Sequence, residues 1–176
     1  AATTSGKLLV EAVWTRWHPR FQRAVEIVAK GDIGRLTAIE SEFTFTADLN
    51  DNFRALKNLG GGSLLDVGGY QIQLWRSLIN PWTAPTFTSV NQTLNSDGAD
   101  LSTDLQAEIT LSQSLVKLSA QTSFIAPERQ SLKIVGDQNS IEFTAGQAFT
   151  SWKESSALRI GEHTEVFAPV DAYQIM

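Results

Sequence analysis

Asp66 and Tyr70 stand four residues apart in the segment NLGGGSLLDVGGYQIQLW, Asn58 to Trp75, with Gln73 three residues further on. If the segment is helical, positions i, i+4 and i+7 project from one face, so a carboxylate, a phenol and an amide are presented together. Such a set can move a proton to or from a hydroxyl oxygen, the phenol as donor or acceptor and the carboxylate as the group that orients it. A phenol of ordinary acidity, with a pKa near about 10, needs a neighbouring positive charge to act as a base at neutral pH. Helical spacing alone equally describes Tyr70 as a core aromatic. Ser63-Leu64-Leu65-Asp66 also fits a capping box, with Ser63 accepting from a backbone N–H and Asp66 reaching back to the helix start. Gly68 and Gly69 weaken a helix by roughly 2 kcal/mol together relative to alanine. Their small size would let a backbone or a flat ligand approach closely.

Other chemistry is excluded by what the motifs lack. The glycine run is neither GxGxxG, because Leu65 replaces the third glycine, nor a Walker loop, because no Lys-Ser/Thr pair follows. Gly61-Gly62-Ser63-Leu64-Leu65 misses GxSxG by its last residue, so Ser63 is not a nucleophile elbow. His18 and His163 are far apart and have no carboxylate at ligand spacing, which argues against a transition-metal site. Asp48-Leu49-Asn50-Asp51-Asn52 begins like a calcium loop, but Phe53 stands in place of the glycine and no Glu closes it. Glu40 and Glu42 share the polar face of a strand, and nothing pairs with them for glycoside hydrolysis.

The elements that must position Asp66 and Tyr70 follow from periodicity. Lys7 to Trp14 is apolar enough for a short buried strand, although a helical turn fits as well. His18-Pro19 opens a helix with Phe21, Val25 and Val28 on one face, ended by GDIG at Gly31 to Gly34. Leu36 to Ala47 alternates as a strand, with Ile39, Ser41, Phe43 and Phe45 on its apolar face. The glycine-rich segment predicts a helix from Ser63 to Leu78, stopped by Asn80-Pro81. Leu101 to Leu111 and Val116 to Thr122 alternate on either side of a turn at Ser112-Gln113-Ser114, which makes a hairpin. Further strands are expected at Thr86 to Leu94, Ser131 to Val135, Ser140 to Thr144 and Phe149 to Lys153. Two helices on a largely antiparallel sheet give an α+β domain.

At 176 residues and 42% hydrophobic content the chain supports one ordinary core. A net charge of −5 without basic runs argues against nucleic acid or an anionic membrane as partner. No apolar stretch is long enough for a membrane span. The absence of cysteine excludes disulfides and thiolate metal sites and is compatible with a reducing, cytoplasmic compartment. The chain starts without Met and stops in VDAYQIM, as if at the start of a helix, which points to a processed product or an excised domain.

EAVWTRWHPRF (Glu11 to Phe21), GDIGRL (Gly31 to Leu36) and LGGGSLLDVGGYQIQ (Leu59 to Gln73) strongly resemble the C-terminal domain of the Gfo/Idh/MocA family, the glucose-fructose oxidoreductase and inositol dehydrogenase-like NAD(P)-dependent dehydrogenases. SLKIVGDQNSIEF (Ser131 to Phe143) looks like a later hairpin of that domain, so the likeness covers nearly the whole chain. Tyr at position 70, where many members have His, and the WTR of Trp14 to Arg16 resemble the dihydrodiol and xylose dehydrogenase branch. The resemblance implies an open, predominantly antiparallel sheet with helices on one face, as in the C-terminal domain of glyceraldehyde-3-phosphate dehydrogenase.

It also implies that residues 1–176 form the substrate-binding and oligomerisation domain of a cytoplasmic enzyme, partnered by an N-terminal Rossmann domain that this sequence lacks. Tyr70 would transfer the hydroxyl proton of a sugar, polyol or diol. Asp66 would orient the substrate or Tyr70, and Trp14, Arg16 and Gln73 would contact the substrate. NAD or NADP would serve the full-length protein, with none bound by this chain and no metal. The open sheet face would join copies into a homodimer or higher oligomer. GxGxxG and the family's Glu-Lys-Pro lysine are absent from the sequence, so the isolated chain is expected to be inactive. The alternative is a non-enzymatic dimerisation or ligand-binding module that has kept the fold.

Overall fold

A computed structural model of the chain describes residues 2–9, 11–111 and 114–176. Its strands are β1 (Leu36–Thr46), β2 (Thr86–Leu94), β3 (Asp100–Leu111), β4 (Ser114–Ser123), β5 (Ile125–Gly136), β6 (Ser140–Phe143), β7 (Ser156–Ile160) and β8 (His163–Phe167). They form one sheet in the order β2-β3-β4-β1-β5-β6-β7-β8. Neighbours are antiparallel except β1 and β4, which run parallel with Ile39 opposite Leu118. The helices are α1 (Ala2–Ser5), α2 (Pro19–Lys30) and α3 (Ser63–Leu78), with short 3-10 turns at Trp14–Arg16, Phe53–Ala55 and Lys57–Leu59. This is the expected α+β fold, an open and mostly antiparallel sheet.

Alternation dictates the layers. Ile39, Ser41 and Phe43 of β1, Leu105, Ala107 and Ile109 of β3, and Val116, Leu118 and Ala120 of β4 are buried under the helices. The opposite face carries charge, including the cross-strand ion pairs Glu42–Arg129 at 2.9 Å, Lys133–Glu142 at 3.4 Å and Arg159–Glu142. A face without a second layer keeps polar groups, which is how an antiparallel sheet meets water on one side.

Helix α3 lies over β1, β3 and β4 and is fixed to the sheet by polar contacts from its buried side. Gln71, fully buried, donates from Nε2 to the Gln121 carbonyl at 3.0 Å and accepts from Ser41 Oγ at 3.2 Å. At its start the capping box does not form: Gly62 is the cap residue and makes no side-chain capping bond. The cap comes from β3, where Asp100 Oδ2 accepts from the Leu64 N–H at 2.9 Å, Ser63 Oγ at 2.7 Å and Thr103 Oγ1 at 2.9 Å. Ser63 is turned inward and fully buried, so it cannot cap its own helix, and Asp66 is engaged elsewhere. Gly62 adopts φ 123°, and a Cβ there would sit 2.1 Å from Asp100 Oδ1, so a glycine is required for the carboxylate to reach the helix.

Helix α2 begins with His18, whose Nδ1 accepts from the Arg20 N–H at 3.1 Å, and ends on Gly31 in the left-handed conformation. Its buried stripe is Arg20, Phe21, Ala24 and Ile27, with Val25 and Val28 only partly covered. The buried Arg20 guanidinium donates to the carbonyls of Ala145, Gln147 and Ala148 at 3.0–3.3 Å and lies 4.7 Å from the centre of the Phe143 ring. Burial lowers its pKa to about 10, which leaves it charged at neutral pH.

Three local expectations are corrected. The apolar run Lys7 to Trp14 forms no strand in its described residues, Leu8 and Leu9 being exposed, and its end enters the 3-10 turn at Trp14; Val10 lies outside the described residues. Phe149 to Lys153 is a turn, because side chains take its backbone donors: Phe149 N–H bonds Gln130 Oε1 at 3.0 Å, and Gln147 N–H just before it bonds Ser151 Oγ at 2.7 Å. Strands β7 and β8 carry no clear apolar alternation in SALRI and HTEVF and are additions to the sequence reading. Ser112 and Gln113 of the expected hairpin turn lie outside the described residues.

Two stability experiments follow from these anchors. Asp100→Ala removes the cap and strands the buried Ser63 and Thr103 hydroxyls, so urea denaturation should show a loss of about 2–4 kcal/mol. His18 is held neutral by burial and by the charge of Arg20, with its pKa lowered to about 4. The unfolded state therefore binds the extra proton between the ordinary value of about 6.5 and the folded one, and stability falls as the pH drops through that window by roughly 3 kcal/mol. His18→Asn keeps a capping acceptor without a titrating ring and should flatten the dependence of unfolding free energy between pH 6.5 and 4.

Candidate active site

The first turns of α3 bring Asp66 and Tyr70 to one cavity of about 590 Å³. Phe43 and Phe45 from β1 and Val67 form its apolar wall, and Arg54, Glu128, Gln130 and Thr150 complete it with polar groups. The Tyr70 ring is half-buried, 6.1 Å from that of Phe43. Burial raises the phenol pKa above its ordinary value, with further upward contributions from the Tyr173 phenol and the Asp66 and Glu11 carboxylates. Tyr70 is thereby held protonated as a hydrogen-bond donor. Asp66 Oδ2 accepts from Arg54 Nε at 2.8 Å, with about a fifth of its side chain exposed.

Gln73, one turn further along α3, lines a different cavity of about 740 Å³ together with Arg16, Arg76, Trp17 and Trp82. The shared helical face is thus divided between two hollows, and Arg16 with Gln73 is not brought to Tyr70. Trp14 lines neither; it is 2% exposed, packed edge-on against His18 at 5.6 Å and Phe21 at 6.0 Å. The second glycine pair is split in function too. A Cβ on Gly68 would meet Leu64 at 2.8 Å and Thr122 at 3.6 Å, so that glycine permits close packing on β4, while the space beside Gly69 is open.

The residues absent from the sequence reading are Arg54, Tyr173 and the rim of β5. Arg54 sits in a polar loop with no periodicity, twelve residues before its partner, and only a cation at loop distance from Asp66 could have pointed to it. Tyr173 arrives from the far end of the chain, its ring edge-on to Trp152 at 5.1 Å.

The glycine run does not fit a dinucleotide pyrophosphate. The N–H groups of Gly61 and Gly62 are bonded to the carbonyls of Leu56 and Arg54 at 2.9 Å, and that of Leu64 to Asp100. A phosphate at a helix start needs those donors and a positive field, and here a carboxylate already occupies the position. Among the described residues no group of three or more His, Cys, Asp or Glu could hold a metal ion, and no helix is long and apolar enough to cross a membrane.

Comparison with known proteins gives the same architecture a family. D-xylose 1-dehydrogenase (NADP(+)) 2 of Haloferax volcanii is 30% identical over 97% of this chain and 52% of its own length. Trans-1,2-dihydrobenzene-1,2-diol dehydrogenase of Danio rerio is 29% identical over 96% of this chain and 48% of its own. The chain therefore spans about half the length of these relatives. Among solved structures, a 3-ketoreductase from Actinomadura kijaniata in complex with NADP and TDP-benzene superposes with a TM-score of 0.79 at 19% identity, over 98% of this chain and 53% of that one. An aldose-aldose oxidoreductase from Caulobacter crescentus complexed with glycerol gives 0.77 at 17% identity, over the same shares. The family model of the GFO/IDH/MocA C-terminal domain matches residues 21–142, more than half of the sequence and both Asp66 and Tyr70. The chain belongs to the GFO/IDH/MocA family of oxidoreductases, as a representative of its C-terminal domain.

Proposed function

We propose that this chain is the substrate-binding domain of an NAD(P)-dependent dehydrogenase that acts on a hydroxyl of a sugar, polyol or diol. The observation that carries the reading is the meeting of Tyr70 and Asp66 in one cavity with an aromatic wall on one side and polar groups on the other. Aromatic faces suit the C–H face of a ring, and the polar rim suits its hydroxyls. The xylose and dihydrodiol dehydrogenases named above support a carbon bearing a hydroxyl as the reacting centre.

In the whole enzyme a nicotinamide would take or give the hydride, held by a nucleotide domain. The residues of this chain do the rest. Tyr70, kept neutral by burial, donates its proton to the oxygen of a bound carbonyl in the reducing direction and is left as a phenolate; in the oxidising direction that phenolate, not the neutral phenol, receives the hydroxyl proton. Asp66, paired with Arg54, fixes the substrate oxygens relative to the phenol. Trp14 supports the start of α2 from the core, and Arg16 and Gln73 face the second cavity, where a neighbouring domain or a distant part of the ligand can dock. The isolated chain, whose glycine run has its N–H groups of Gly61, Gly62 and Leu64 already bonded, is inactive on its own. The open sheet face joins copies of the protein; its cross-strand ion pairs make that contact polar, so the mass measured by light scattering should fall towards the monomer as salt is raised.

In the full-length protein Tyr70→Phe should lower kcat by about 10²–10⁴-fold, the range for loss of a proton-transferring side chain, with cofactor binding unchanged. Steady-state kinetics with fluorescence titration of the cofactor measures both. Turnover equal to the parent enzyme would remove Tyr70 from the chemistry and with it this reading of the cavity.

A further inference from the structure

Arg54 belongs to a loop, yet hydrogen bonds fix its backbone. Its N–H donates to Asn52 Oδ1 at 3.0 Å, its carbonyl accepts from the Gly62 N–H at 2.9 Å, and the next carbonyl, of Ala55, accepts from Asn95 Nδ2 at 2.8 Å. A Cβ on Gly61 would stand 2.6 Å from the Arg54 carbonyl, so the glycine run is what lets this loop lie against the helix start. The backbone of Arg54 is thus fixed to the same point from which α3 projects Asp66 and Tyr70.

The side chain continues the pattern. Nε donates to Asp66 Oδ2 at 2.8 Å, and the guanidinium carbon lies 5.0 Å from the centre of the Phe53 ring, which covers one side of the group. The two terminal nitrogens make no hydrogen bond among the described residues, and Arg54 and Asp66 both line the cavity of Tyr70. Arginine–carboxylate pairs are frequently bidentate, with two parallel N–H···O bonds. Here one bond holds the pair and the remaining donors stay available.

A guanidinium beside a carboxylate is matched to a hydroxyl, which accepts from the first and donates to the second. Residues four apart on a helix are separated by roughly 5–6 Å, so a substrate whose reacting oxygen meets Tyr70 places the oxygen of the adjacent carbon near Asp66 and Arg54. The cavity's charged side chains are Arg54, Asp66 and Glu128, one cation against two carboxylates, which disfavours an anionic group at the same place. We propose that Arg54 is a substrate-binding residue which, with Asp66, clamps a neutral hydroxyl on the carbon next to the reacting one. The assignment rests on the reading of this cavity as the site of hydroxyl chemistry, and it makes a vicinal pair of oxygens the feature that the site selects.

The test is the binding preference of the chain for a vicinal pair of oxygens over a single one. Ligand-observed NMR titrations would compare trans-cyclohexane-1,2-diol with cyclohexanol, and trans-cyclopentane-1,2-diol with cyclopentanol. The parent chain should bind the vicinal member of each pair at least about 10-fold more tightly, the scale of a hydrogen bond to a charged group. Arg54→Gln should abolish that preference by weakening the vicinal compounds alone, and Arg54→Lys, which keeps the charge and serves if the Gln variant does not fold, should retain only part of it. A preference unchanged in both Arg54 variants, or an equal loss of binding for both members of a pair, overturns the assignment while leaving the role of Tyr70 to its own kinetic test. Absence of saturable binding by all four compounds overturns the assignment together with the hydroxyl reading of the cavity.

Discussion

The buried carboxylate of Asp100 at the start of α3 is the contact on which the site depends. Its Oδ2 gathers one backbone donor and two hydroxyls within 2.9 Å, and Ser63 Oγ is in turn 2.8 Å from Thr122 Oγ1 on β4. A negative charge at a helix start is favoured by the orphan N–H groups and by the helix dipole, and burial strengthens both effects. Strands β3 and β4 therefore hold the helix by its first turn, three residues before Asp66. Because Asp66 and Tyr70 lie in the first two turns, fraying at that end would move both, and Asp100 is what opposes it. The same carboxylate shuts the helix start to phosphate, so a single contact decides what the segment does and what it cannot do.

The part of this arrangement legible in the sequence is the part encoded locally. The Ser63–Leu78 helix, the alternation of β1, β3 and β4, and the pairing of Asp66 with Tyr70 all follow from spacings of two or of three to four residues, and all are found. The cap was misassigned because Ser-x-x-Asp satisfies a local pattern while the actual acceptor stands thirty-seven residues away, at the first position of a strand. Arg54 is missed for a related reason: loop side chains carry no period, and only the fold reveals that its carbonyl and guanidinium both meet the start of α3. The parallel pairing of β1 with β4 brings together strands separated by α3 and a hairpin, and no run of residues announces it. Phe149 to Lys153 has the composition of a strand, but Gln130 and Ser151 side chains satisfy the backbone that a ladder would have used.

A second buried ion organises the opposite wall. Arg20 has no carboxylate partner among the described residues; three carbonyls of the segment after β6 take its donors, and the Phe143 face lies against it. Those carbonyls lead directly to Phe149 and Thr150, and Thr150 Oγ1 is bonded to the Gln130 amide at 3.0 Å on the cavity rim. An irregular segment with many unpaired backbone groups is thus made rigid by one cation from α2 rather than by strand pairing. The neutrality of His18 follows from the same cation, since its charge and the burial that surrounds it act on the imidazole in the same direction.

These two anchors, one negative and one positive, leave the cavity between them with a particular electrostatic bias. Burial, Tyr173, Asp66 and Glu11 all raise the Tyr70 phenol, and the cation that shares its cavity, Arg54, is already paired with Asp66. A phenol in that setting is a good donor and a poor base. For the oxidising direction it must release its proton near neutral pH, and that requires a positive charge brought close to its oxygen from outside the described residues. Under the proposed function, a lysine or an oxidised nicotinamide ring contributed by another domain would meet that requirement, and either would act on Tyr70 only once the two parts were assembled. On the proposed dehydrogenase reading the chemistry would be conditional on docking: this chain would hold the hydroxyls and store the proton, and the charge that sets the proton in motion would arrive with a partner.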